Sequence, residues 1–171
     1  MKEFNKEFAQ FSKPILKSLK KTFDVMVSTA IIPNSPKIKE GILTNGDITS
    51  IISVDGEVMH EGVKKNFRGH ISVSFKESVF LKIASKMMME EYKEYCEDVA
   101  DAGSEIMNIV IGSAKQDLAN QGYKIGMASP LTLIKGEQYD FKYEQETTTI
   151  ETKIDSELGD FIFEICYQNV G

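Results

Sequence analysis

The sequence predicts an α+β domain of five or six strands and three main helices. Helical steps of three and four mark the first and middle parts of the chain. Two-residue alternation fills the stretch between them and the last third. A length of 171 residues suffices for one substantial core but not comfortably for two, so residues 1–171 read as a single domain.

The first element follows from Phe4, Phe8, Phe11, Ile15, Leu19, Phe23 and Met26, an amphipathic helical series. Pro14 would cost about 3 kcal/mol inside a helix and is tolerated in a first turn. The main helix is therefore expected to be capped by Ser12 and to run to about Val25. Residues 1–11 are then a separate turn or loosely held arm. Pro33, Asn34, Ser35 and Pro36 mark a loop running on to Gly41, and Asn45-Gly46-Asp47 a turn. Ile48 to Val54 reads as a strand. Phe67 to Phe75 reads as another, with Phe67, Gly69, Ile71, Val73 and Phe75 on one side, and the polar stretch from Asp55 to Asn66 can lengthen the hairpin. Ser78 to Met89 returns to helical spacing, and a further helix reaches about Gln121, where Gly122 stops it. Lys124 to Ile134 contains Pro130, so it is an edge strand or is broken there. Gln145 to Ile154 alternates, Asp155 to Asp160 connects a hairpin, and Phe161 to Tyr167 closes the series.

Composition excludes several function classes. A net charge of -6 argues against nucleic acid as the principal partner, because phosphate binding needs concentrated Lys and Arg. Lys13, Lys17, Lys20 and Lys21 do gather, but at the spacing of a solvated helix face. Cys96 and Cys166 form no CxxC, and with His60 and His70 they make no recognisable zinc set. Both cysteines read as reduced and structural, and both histidines as surface or structural residues. No apolar run approaches the ~18 residues of a membrane span, and MKEFNKEFAQ is not a signal peptide, so the expected location is the cytoplasm. GxSxG, HExxH and P-loop patterns are absent.

One helix face stands out. With Asp101 placed at zero, Glu105 falls at about 40°, Asn108 at about -20° and Gly112 at about 20°. Val99, Ile106, Val110 and Ala114 face the other way. A polar stripe is usually solvated surface, but this one gives up stability in three ways. Asn competes for the backbone in a helix interior, and Gly costs about 1 kcal/mol relative to Ala. Asp98, Asp101 and Glu105 also crowd like charges at three- and four-residue spacing.

Asp101, Glu105 and Asn108, followed by Gly112 and by Pro130 some twenty residues on, resemble the D-x3-E-x2-N helix of the CheC/CheX/FliY family of chemotaxis phosphatases. The resemblance extends along most of the chain, through Pro14, the unit from His70 to Lys86, and Leu158-Gly159-Asp160-Phe161. It implies three main helices packed on a mostly antiparallel sheet of five or six strands. Two-site members repeat the motif on the first helix. Here that helix has neither residue, and the Glu7 and Gln10 pair precedes Pro14, so one site per chain is similar to CheX rather than CheC. The polar insertion from Val58 to Asn66 and the loop from Pro33 to Gly41 depart from the family pattern.

The resemblance implies a phosphorylated CheY-like response regulator as substrate and partner. Mg2+ and a lysine would lie in the regulator's receiver domain, and the phosphatase would have no cofactor or metal of its own. Asn108 would orient the attacking water, Glu105 would pair with the regulator's lysine, and Asp101, Gly112 and Pro130 would contribute to docking. A homodimer is implied too, and neither nucleic acid nor membrane. Two other readings compete: a module that docks on a receiver domain without catalysis, and a structural domain whose strands pair between subunits.

Overall fold

The computed structural model describes residues 2–39, 46–134 and 149–170. Among the described residues, seven strands form one antiparallel sheet, and three helices share a single apolar core with its inward face. Asn45, the loop end at Gly41, and Gln145 to Thr148 of the expected strand lie outside the described residues.

The first helix, α1, runs without a break from Lys2 to Met26 with Pro14 inside it, which corrects the expected start at Ser12. Ser12 Oγ donates to the Ala9 carbonyl at 3.4 Å rather than capping a helix. Packing explains why the proline does not end the element. Phe11 is fully buried among Phe67, Tyr123 and Tyr167, with ring centroids 5.7, 5.6 and 4.9 Å away. Glu7 accepts from Asn169 Nδ2 at 2.6 Å. A break at Ser12 would forfeit these contacts, which together outweigh one lost helical hydrogen bond.

After α1, two short strands, β1 (Ile31–Pro33) and β2 (Lys37–Ile38), pair one after the other with β6. β2 and the last residue of β1 fall in the stretch from Pro33 to Gly41 that was expected to be loop. Runs of three and two residues are too short to show a period, and only their pairing defines them. β3 (Ile48–His60) and β4 (Val63–Phe75) make the long central hairpin, closed by Glu61 and Gly62 at φ 48° and 78°. Both turn residues thus have the positive φ of a tight hairpin turn, which Gly62 adopts without a Cβ penalty. The polar insertion from Val58 to Asn66 is the tip of this hairpin.

Helix α2 (Glu77–Met88) follows, then α3 (Glu97–Asn120), which ends before Gly122 at φ 93°. The edge strand β5 (Tyr123–Ile134) carries Pro130 without interruption and pairs with β3 alone among the described strands. At an edge, the missing N–H of proline removes no bond that the sheet needs. β6 (Thr149–Ser156) and β7 (Phe161–Val170) complete the order β1-β6-β7-β4-β3-β5, with β2 beside β1 on β6.

The two faces of the sheet differ. Ile52, Val54, Phe67, Ile71, Val73, Phe75, Phe161, Phe163, Ile165 and Tyr167 join the core beneath the helices. The opposite face carries His70, Ser72, Ser74, Thr49, Glu164 and Cys166, all buried. There Thr49 and Ser74 hydroxyls lie 2.9 Å apart, Ser53 Oγ is 3.1 Å from His70 Nδ1, and Lys39 donates to both Glu164 oxygens at 3.0 and 2.9 Å.

Candidate functional site

Helix α3 presents the stripe. Val99, Ala102, Gly103, Ile106, Met107, Val110, Ile111, Ala114 and Leu118 are buried, a set that covers about half of the helix circumference. The buried arc is wider than Val99, Ile106, Val110 and Ala114 alone indicate, because α3 packs against α1 and α2 as well as β3 and β5. Asp101, Glu105, Asn108 and Gly112 occupy the middle of the remaining arc, and all four are exposed. Among the described residues none of the three polar side chains is held by a hydrogen bond or ion pair within the chain. Asp101 to Asn108 spans about 10 Å of axial rise, and Glu105 to Asn108 about 4.5 Å. Two side chains at that separation can enter one shallow recess on a partner.

The helix begins favourably for this charge distribution. Cys96 at the N-cap makes no side-chain cap bond, but Glu97 and Asp98 in the first turn oppose the positive end of the helix dipole. Gly112 is open: a Cβ built there meets nothing within 4 Å. Pro130 does not join the stripe directly. It lies on β5 opposite Ile52, on the side of the sheet that faces the helices, and is half-buried.

Three positions that matter to this helix were not singled out in the sequence. Gly103 sits on the buried side, where a Cβ would come 2.3 Å from Ser50 Oγ, 2.9 Å from Phe80 Cζ and 3.0 Å from Thr132 Oγ1. Thr132 Oγ1 donates to the Ala100 carbonyl at 3.0 Å, and Ser18 Oγ of α1 donates to the Val110 carbonyl at 2.6 Å. A glycine at a buried angle in mid-helix was the one available signal; hydroxyls more than thirty residues away in sequence gave none.

The remaining sequence candidates are distributed as expected of bystanders. Lys13, Lys17, Lys20 and Lys21 are exposed along α1, with Lys17 in a 3.4 Å surface pair with Asp117. His60 Nε2 lies 3.9 Å from Glu7 at the sheet's end. Cys96 and Cys166 are both free. Burial holds the His70 imidazole down to about 3 and pushes the Cys166 thiol up to about 11. Both groups lie on the face of the sheet turned away from α3. Among the described residues no group of His, Cys, Asp and Glu is placed to hold a metal, and no helix is long and apolar enough to cross a membrane.

Three helices packed on one antiparallel sheet are the arrangement of a class, the CheC-like α+β domains, and comparison with known proteins narrows it. The family model of the chemotaxis phosphatase CheX matches residues 60–155, which include the whole of α3 and Pro130. The chain belongs to the CheX family. A chemotaxis protein CheX from Vibrio vulnificus is 31% identical over 94% of this chain and 100% of its own, with a TM-score of 0.74. A CheC-like superfamily protein from Shewanella sp. PV-4 is 28% identical over 93% of this chain and 97% of its own, with a TM-score of 0.75. The fold is also that of the CheX in a CheX–CheY–BeF3–Mg2+ complex from Borrelia burgdorferi, at 19% identity, 93% and 97% coverage and a TM-score of 0.65. No curated protein matches the chain.

Proposed function

We propose that this protein accelerates hydrolysis of the aspartyl phosphate on a CheY-like receiver domain, in chemotaxis or related two-component signalling in the cytoplasm. The observation that carries the reading is the exposed stripe of Asp101, Glu105 and Asn108, uncommitted to any partner among the described residues, on a helix of a CheX-family domain. That a Borrelia burgdorferi CheX forms a complex with CheY, BeF3 and Mg2+ supports the choice of partner.

The division of labour follows from the chemistry. Phosphoryl transfer depends on placing the attacking water in line with the scissile P–O bond and on stabilising charge, with little proton abstraction. Asn108 can accept from and donate to that water without adding negative charge beside the phosphoryl oxygens, as a carboxylate would. Glu105, one turn earlier, pairs with the receiver's lysine and sets the depth at which the amide enters. Asp101 extends the docking surface, Gly112 leaves clearance for the partner, and Pro130 supports the edge strand behind α3. The divalent metal and lysine belong to the receiver. The active molecule is a homodimer of single-domain chains.

The test is phosphate release from a panel of phosphorylated receiver domains from the same cell, with and without the protein. Wild-type protein is expected to speed release from at least one receiver. Asn108→Ala should abolish the acceleration with the fold intact, and Glu105→Ala should weaken it substantially. Full acceleration by Asn108→Ala would overturn the assignment. Binding without acceleration by the wild type would make the protein a docking module instead.

A further inference from the structure

We propose that Thr132 is a positioning residue for the stripe, with Ser18 as its counterpart on the other flank of α3. The inference rests on the reading of Glu105 and Asn108 given above and adds what holds them at their working height.

Thr132 Oγ1 lies 3.0 Å from the Ala100 carbonyl, 3.1 Å from Ser104 Oγ and 3.2 Å from Ser50 Oγ. A threonine hydroxyl has one proton and two lone pairs. With its proton given to Ala100, Thr132 must accept from both Ser104 and Ser50, and its capacity is then filled. The hub has one orientation only. It ties β5 to β3 through Ser50 and to α3 at residues 100 and 104, which directly precede Asp101 and Glu105. Ser50 is fully buried, so its hydroxyl has no solvent to turn to.

Gly103 makes the hub possible. Its missing side chain is what lets α3 approach until these hydroxyls meet, since a Cβ there would stand 2.3 Å from Ser50 Oγ. Towards the far end of the stripe, Ser18 Oγ donates to the Val110 carbonyl at 2.6 Å, from a side chain that is also buried. Hydroxyl-to-carbonyl bonds from two different elements thus grip α3 at Ala100 and Val110. Asp101, Glu105 and Asn108 lie between the two grips. The hydrophobic effect is non-directional, whereas hydrogen bonds have a preferred length and angle, so bonds at two heights add a directional restraint on both the height and the rotation of α3. A placement error of about 1 Å is enough to lose a hundredfold in rate when the task is to aim a water.

The test uses the full-length protein as Thr132→Val, Thr132→Ser, Ser18→Ala, and the double variant Thr132→Val with Ser50→Ala. The double variant removes the hub without stranding the buried Ser50 hydroxyl. Two readouts are taken: amide hydrogen exchange along residues 100–112, and the kinetics of receiver dephosphorylation. Thr132→Val and the double variant should raise exchange in this stretch at least tenfold beyond any change in global unfolding. They should lower kcat at least tenfold with KM within twofold, and Thr132→Ser should restore both. Ser18→Ala should give the same pattern, centred nearer Val110. If wild-type protein accelerates no receiver, the assigned function fails and the exchange arm alone decides the inference. Unchanged exchange in the double variant overturns the inference, as does a loss of activity that Thr132→Ser does not rescue.

Discussion

Substitutions at Gly112 separate stability from function, because the residue has no structural reason to be glycine. It lies in mid-helix, it is exposed, and a Cβ built on it meets nothing within 4 Å. No clash or cavity therefore offsets the helix-propensity difference, and Gly112→Ala should stabilise the fold by about 1 kcal/mol. For a chain of this length that corresponds to a rise in Tm of about 2–4 °C. If the open space is clearance for a receiver domain, the same change should reduce dephosphorylation, and Gly112→Leu should reduce kcat/KM about tenfold or more, equivalent to about 1.4 kcal/mol of lost docking. Gly103→Ala is the control: its Cβ would stand 2.3 Å from Ser50 Oγ, so stability and activity should fall together, by about 1–3 kcal/mol in stability. The assay pairs thermal melts by far-UV circular dichroism, suited to a chain without Trp, with phosphate release from a phosphorylated receiver. A Gly112→Leu protein as active as wild type would refute the clearance argument, whatever its Tm.

Two further outcomes concern the opposite face of the sheet. Lys39→Met should destabilise the protein by about 3 kcal/mol in urea titrations, since it removes a cation bonded to both oxygens of a glutamate that is only 8% exposed; a midpoint shift near zero would show that the pair adds nothing. His70 should make stability fall with acid. Its imidazole titrates at about 3 in the fold and near 6.5 when unfolded, so between those values the unfolded chain binds a proton that the native state does not. The stability present above pH 6.5 is then lost as pH falls, by about 2 kcal/mol at pH 5. His70→Gln should flatten that dependence in urea titrations at pH 7 and 5, and an unaltered slope would rule His70 out as its source.

What the sequence disclosed follows the range of the forces involved. The stripe of Asp101, Glu105, Asn108 and Gly112 was legible because its signal is local, a set of angles on one helix, and the structure places all four on the open arc. The central hairpin, α2 and α3 were legible for the same reason, since alternation and spacing are short-range features, and the edge placement of β5 was one of the two readings that Pro130 left open. The start of α1 was misread because the rule for Pro14 is local while the forces that override it are not. Phe11 meets Phe67, Tyr123 and Tyr167, none of them within fifty residues. β1 and β2 were missed because pairing with β6 alone defines them. The grips on Ala100 and Val110 were invisible because a serine or threonine in a sequence does not say which carbonyl it will find.

The placement of β7 has a consequence for how the chain is made. This strand lies inside the sheet, between β6 and β4, and α1 closes over it. Phe11 packs on Tyr167 at 4.9 Å and Phe23 on Phe161 at 5.1 Å. The apolar side of the helix at the start of the chain can meet Phe67, Tyr123 and α3 earlier, but the part of its surface formed by Phe161 and Tyr167 is missing until residues 161–170 have been synthesised. At ribosomal speeds that interval is on the order of ten seconds, far longer than the microseconds in which the β3–β4 hairpin can form. Through that time a greasy amphipathic helix waits beside a half-built sheet, a state in which a holding chaperone would find its substrate.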